Sequence, residues 1–219
     1  MSRIEVSVLR WVPPYAQGLV RDLRVRWALE EAGLSYGERV IGPEDQANPH
    51  YRAIQPFGQV PAYMDDDVIL FESGAIVLWI AESSQTLLPT DATGRARVHA
   101  WMFAALSSVE PVLQNLADLD LFVDAGPWAK ERRPTLLKRA NSRLLDLARV
   151  LESRDYLEGQ FTAGDLMMAS VLRIPRHLPV VGNIPTLAAY LARCESRPAF
   201  QRALASQLAV FQRNEPKVQ

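Results

Sequence analysis

Apolar and polar residues alternate at the start of the chain. Ile4, Val6 and Val8 are separated by polar side chains, and a period of two predicts a strand that ends near Trp11, before Pro13 and Pro14. From about Gln17 the period lengthens. Val20, Leu23 and Trp27 recur at helical spacing with Val25 and Leu29 beside them, Arg and Glu fill the other face, and Gly33 marks the C-terminal stop. A short strand is predicted over Glu38 to Ile41. Residues 42–59 contain Pro43, Pro49 and Pro56 and predict a long loop with one helical turn near Pro49 to Ile54. Loops of that length in compact domains are usually functional. Two apolar runs, Val60 to Met64 and Val68 to Phe71, flank Asp65-Asp66-Asp67 and read as a hairpin. The second run leads through Glu72-Ser73-Gly74 into an apolar helix over Ala75 to Ala81, with Ser73 as its expected N-cap.

Beyond residue 85 the strand pattern disappears. Residues 82–94 form a polar connection. After it, Val98, Trp101, Met102, Ala105, Leu106, Val109 and Leu113 step by three and four, as do Leu137, Ala140, Leu144, Leu147, Ala148 and Leu151. Further helices are predicted from Thr162, over Pro185 to Ala192, and after Pro198. The change of period sets a domain boundary, giving an α/β domain over 1–84 and an all-helical domain over 90–219.

Composition narrows the function. The 219 residues are 48% hydrophobic and 22% charged, which suits a globular chain. The 24 basic and 25 acidic side chains leave a net charge of −1, which provides no broad positive field for nucleic acid. One cysteine, Cys194, cannot form an internal disulfide and is expected to be a packing residue in the late helices. The charged N-terminus and the lack of an apolar stretch of about 20 residues point to a cytoplasmic protein without a membrane partner. His50, His99 and His177 are too scattered to suggest a metal site. No phosphate loop or dinucleotide fingerprint occurs.

Glu72 and Ser73 open an apolar helix, and a helix N-terminus exposes unpaired N–H groups and a partial positive charge, which favours a carboxylate ligand. Three segments take this further: Val25-Arg26-Trp27-Ala28-Leu29-Glu30-Glu31-Ala32-Gly33; Asn48-Pro49 through Gln55-Pro56-Phe57-Gly58-Gln59-Val60-Pro61-Ala62, closed by Leu70-Phe71-Glu72-Ser73-Gly74-Ala75-Ile76; and Thr162-Ala163-Gly164-Asp165 followed by Arg197-Pro198-Ala199-Phe200. In this order they resemble the glutathione transferase superfamily over nearly the whole chain.

The resemblance implies a thioredoxin-like βαβ-ββα domain followed by a helical bundle, a homodimer, and glutathione as co-substrate without a metal. It implies that Glu72 pairs with the γ-glutamyl ammonium and Ser73 donates to its carboxylate. It also implies a cis Val60-Pro61 bond that turns the Val60 backbone toward the cysteinyl part, with Gln59 reaching the glycyl end. The family supplies a thiol-directed tyrosine, serine or cysteine after the first strand. Here no serine or cysteine lies between Leu9 and Arg24, and Tyr15 is the one hydroxyl. Its spacing to Arg26-Trp27 matches the tyrosine-type members, although Pro13-Pro14 intervene. Backbone N–H groups and the guanidinium of Arg10 or Arg21 are the alternatives. Thr162 and Asp165 form an expected capping box with a structural role. Trp11 and Trp101, with Phe103, Phe122 and His177, are candidates for a second-substrate pocket. The implied activity is conjugation of glutathione to an apolar electrophile. The alternatives are a transferase-shaped binding protein without catalysis, or a glutathione-dependent peroxidase or isomerase.

Overall fold

A computed structural model describes residues 3–121 and 126–216. The chain packs as two compact units, Met1–Leu87 with Arg197–Gln219, and Leu88–Ser196.

The first unit is built on a four-stranded sheet. Its elements run β1 (Ile4–Leu9), α1 (Asp22–Ala32), β2 (Tyr36–Ile41), α2 (Pro43–Gln46), α3 (Pro49–Arg52), β3 (Ala62–Met64), β4 (Ile69–Phe71) and α4 (Ser73–Ser84). The strand order is β2-β1-β3-β4, with β1 parallel to β2 and the other two pairs antiparallel. This is the thioredoxin-like βαβ-ββα arrangement. Val6 and Val8 of β1 are buried with Ile76, Val77 and Ile80 of α4 and Val25, Trp27 and Leu29 of α1.

Two local readings around α1 and α2 differ from the structure. The first helix begins at Asp22, not near Gln17. Residues 14–19 form turns instead, with Gly18 at φ 78°, a value that stops a helix from propagating. In addition, α2 precedes the turn expected at Pro49, because Pro43 at its first position and Asp45 accepting from the Gly42 N–H at 2.8 Å stabilise a short helix.

The last helix, α10 (Pro198–Arg213), belongs to the first unit and packs on α1. Trp27 meets Phe200 edge-to-face at 4.8 Å, and Arg197 forks onto Glu31 at 2.6 and 2.7 Å. Gln207, 1% exposed, accepts from the Gly18 N–H at 3.1 Å and donates to the Val20 carbonyl at 3.1 Å and the Asp22 carboxylate at 2.7 Å. Its amide therefore clamps the loop that enters α1.

The second unit is helical: α5 (Ala92–Phe103), a π-helical stretch over Ala104–Val109, α6 (Glu110–Leu121), α7 (Pro127–Leu151), α8 (Ala163–Leu172) and α9 (Pro185–Glu195). Pro111 has no N–H to return to the carbonyl four residues earlier, and the wider π turn just before it lets the helix continue. α8 is buried almost all round and forms the core of the unit. A Cβ added at Gly164 would lie 2.9 Å from the Trp101 Cβ, so glycine is what lets α5 and α8 approach this closely. Thr162 and Asp165 form the expected capping box. The buried Asp165 carboxylate accepts from the N–H groups of Leu157 (2.9 Å) and Thr162 (3.0 Å) and from the hydroxyls of Thr162 (3.0 Å) and Tyr190 (3.0 Å). Cys194 is fully buried in α9. Among the described residues, no helix is long and apolar enough to cross a membrane.

Candidate functional site

The long loop before β3 is wired from within. Gln55, 2% exposed, accepts the N–H groups of Phe57 (2.8 Å) and Gln59 (3.0 Å) on its side-chain oxygen. Arg52 donates to the carbonyls of Gln46 and Pro56, each at 2.9 Å, and Gln46 donates to the Gly58 carbonyl at 2.8 Å. Gly58 has φ 65°, and a Cβ there would stand 2.5 Å from the Gln46 carbonyl oxygen, so the turn requires glycine. Next to this frame, the Val60-Pro61 peptide bond is cis. Val60 packs against Ile41 and Tyr51, with Leu9, Val20 and Ile54 beside them. Among the described residues the backbone of Val60 takes part in no hydrogen bond.

The second corner is the start of α4. Glu72, not Ser73, occupies the N-cap position, and Ser73 is the first helical residue. The difference comes from the backbone: Glu72 has φ 68° and ψ 114°, outside the regions a side chain with a Cβ favours, and its carbonyl accepts the first helical N–H, from Ile76, at 3.0 Å. Such a conformation costs about 1–3 kcal/mol and collects at functional sites. It leaves the Glu72 carboxylate exposed at the helix entrance. Ser73 is 4% exposed, and its hydroxyl oxygen accepts from the guanidinium of Arg24, itself 4% exposed, at 3.3 Å. That contact uses a lone pair and leaves the Ser73 proton to be donated elsewhere. The corner thus combines unpaired amides of the first helical turn, a hydroxyl donor and a buried cation, which together select a carboxylate. Sequence reasoning missed Arg24, because nothing in a helical repeat tells which arginine of α1 faces α4.

The loop between β1 and α1 gives a mixed picture. Tyr15 lies in its turns and is 44% exposed. Arg10 is half-exposed and engaged by Glu44 and Asp45. The Trp11 indole nitrogen is buried with no hydrogen-bond partner among the described residues. In the second unit, the Trp101 indole donates to Glu158 at 3.0 Å, where Arg97 also binds, so its nitrogen is already engaged within that unit. Phe103 is 64% exposed. His177 reaches Asp120 at 3.2 Å. Phe122 lies outside the described residues.

Known proteins resemble this chain in sequence and in fold. Residues 16–82 match the model of the glutathione S-transferase N-terminal domain. Glutathione S-transferase 3 of Zea mays is 30% identical over 201 residues, covering 84% of this chain and 88% of that protein. The chain belongs to the glutathione transferase superfamily. A glutathione transferase of Burkholderia graminis, solved with two glutathione molecules per subunit, superimposes with a TM-score of 0.82 at 26% identity over 93% of this chain and 88% of its own. A theta-class transferase of Xanthomonas axonopodis pv. citri, solved with glutathione bound, does so with a TM-score of 0.78 at 27% identity over 93% and 98%. Like these transferases, the chain joins a thioredoxin-like N-terminal region to a helical C-terminal one.

Proposed function

We propose that this chain binds glutathione at the start of α4 and along the Val60 backbone, and joins its sulfur to an apolar electrophile. The observation that carries the reading is the buried Arg24–Ser73 pair at the first turn of α4. In this reading Ser73 and the first-turn amides take the γ-glutamyl carboxylate, Glu72 takes its ammonium, Val60 pairs with the cysteinyl backbone and Gln59 reaches the glycyl end. The glutathione bound to the Burkholderia and Xanthomonas transferases supports it.

A free thiol titrates near about 8.5, so little thiolate exists at neutral pH. A donor aimed at the sulfur favours the charged form. Tyr15 is proposed as that donor, since it has the one side-chain hydroxyl between Leu9 and Arg24. The thiol proton passes to solvent and the thiolate attacks the electrophilic carbon; as the carbon–sulfur bond forms, the bond from that carbon to its leaving group breaks and the group departs with the electron pair. Trp11 is proposed to contribute apolar surface for the second substrate. Replacing Tyr15 by Phe is expected to lower kcat at least about tenfold with glutathione affinity kept, as loss of one donor to a developing anion does elsewhere.

Titration of reduced glutathione into the wild type and Ser73→Ala by calorimetry tests the binding step. The reading requires wild-type binding and a loss of at least about tenfold in the variant. No heat from the wild type at millimolar ligand rejects it. The exposure of Tyr15 favours a second reading, a transferase-shaped binding protein without conjugating activity. In that case glutathione binds but Tyr15→Phe and the wild type are equally inert toward electrophiles.

A further inference from the structure

We propose that Ser7 and Tyr51 form a buried strut that holds the backbone on both sides of Val60 in its ligand-accepting geometry, and that glutathione affinity depends on it. The proposal rests on the glutathione-binding reading above and assigns positioning roles to two residues that would not touch the ligand.

Ser7 sits in the middle of β1 between Val6 and Val8 and is fully buried, while Tyr51 on α3 is 2% exposed. A buried hydroxyl at a core strand position is costly unless it is hydrogen-bonded. Here the contacts are continuous. The Ala62 N–H is 2.7 Å from Ser7 Oγ, Ser7 Oγ is 2.8 Å from Tyr51 Oη, and Tyr51 Oη is 2.5 Å from the Gln59 carbonyl oxygen. Proton counting sets the direction. A carbonyl only accepts, so the phenol directs its single proton to Gln59. Ser7 must then donate to Tyr51, and it accepts from Ala62. Burial pushes the Tyr51 phenol above its ordinary pKa, so the proton stays in place across the working pH range.

The two ends of this chain of hydrogen bonds are informative. It ties down the carbonyl of residue 59 and the N–H of residue 62, the groups that flank Val60-Pro61. Pro61 has no N–H, and the Val60 backbone takes part in no hydrogen bond among the described residues. The neighbours are therefore fixed while the Val60 groups stay available. A segment ordered before binding does not lose that freedom when the ligand arrives, and hydrogen-bond partners held to about 0.5 Å bind best.

The test uses Tyr51→Phe, which removes one oxygen, together with Ser7→Ala and the double variant. Glutathione binding is measured by calorimetry, turnover by kcat and KM, and protection of the Ala62 amide by hydrogen exchange. Each single change is expected to weaken glutathione binding about tenfold. KM for glutathione rises while kcat at saturation is kept, and the Ala62 amide exchanges faster without ligand. The double variant is no worse than the worse single one, because both break the same chain. Ser7→Thr, which keeps a hydroxyl, retains most of the affinity. If Ser7→Ala does not fold, Tyr51→Phe carries the test alone. Wild-type binding that Tyr51→Phe leaves unchanged overturns the strut alone. Absence of wild-type binding overturns the glutathione reading and the strut with it.

Discussion

At the scale of single residues, the proposed site trades stability for chemistry. Glu72 adopts a positive φ that glycine tolerates far better. Replacing it with glycine relieves the strain but increases the freedom of the unfolded chain, which offsets part of the gain. Glu72→Gly is therefore expected to raise stability by up to about 1 kcal/mol in urea denaturation while weakening glutathione binding in calorimetry. A variant that loses stability and keeps affinity would show that the conformation serves packing alone. Arg24 makes the complementary case. Its guanidinium is buried behind Ser73, where salt screens poorly. Arg24→Met keeps most of the side-chain stem and is expected to lower glutathione affinity about tenfold, with the deficit nearly the same at low and high salt. A deficit that vanishes in high salt would place the role of Arg24 at the surface field. Neither feature is legible in the sequence. A glutamate before a serine does not signal a positive φ, and Arg24 is one of three arginines in the six residues 21–26.

Elements were easier to read where the signal is local. The Asp65-Asp66-Asp67 turn is one such case, and its chemistry makes a pH prediction. Asp65 accepts from the Asp67 and Val68 N–H groups at 2.9 and 2.8 Å, from the Tyr63 hydroxyl at 2.7 Å and from the Trp79 indole at 3.5 Å. Burial pushes its carboxyl up, but these donors outweigh it and hold the pKa below the ordinary value. A carboxylate held low in the folded state contributes stability that is present above the unfolded pKa of about 3.9 and is lost as pH falls through the folded pKa. Asp65→Asn, which keeps the shape, is expected to flatten the fall in stability below about pH 4 measured by acid titration of circular dichroism. The capping box of α8 was equally legible, since Thr162 and Asp165 lie three residues apart, and Asp165→Ala is expected to cost about 2–4 kcal/mol in urea denaturation. What stayed hidden depends on distant partners. The late start of α1 follows from a loop clamped by Gln207, 189 residues beyond Gly18. The packing of α10 on α1 rests on Arg197 and Phe200 meeting Glu31 and Trp27 across a similar distance. Periodicity identifies such a helix but not the surface it covers.

For the molecule as a whole, the remaining proposal is the homodimer. The sheet ends in β4, a strand of three residues, and β4 together with the loop before β3 carries Phe57, Ile69 and Phe71 at 60, 55 and 38% exposure. Phe57 and Phe71 meet edge-to-face at 6.1 Å, so the exposed apolar side chains form a patch rather than scattered positions. Single exposed apolar residues need no explanation, but an ordered aromatic patch beside an open sheet edge does, and a second copy of the chain is the partner we propose. A protruding phenylalanine at the centre of such a contact is expected to be an energetic hot spot. Phe57→Ser should therefore shift the chain from dimer to monomer in sedimentation velocity at micromolar concentration, while its side chain, 60% exposed, is not needed to fold the unit. The backbone around it is held by Gln55, whose contact is with the Phe57 N–H and survives the substitution. A wild-type chain that sediments as a monomer at all concentrations would assign the patch to another partner. A Phe57→Ser variant that stays dimeric would move the interface to a different face of the molecule.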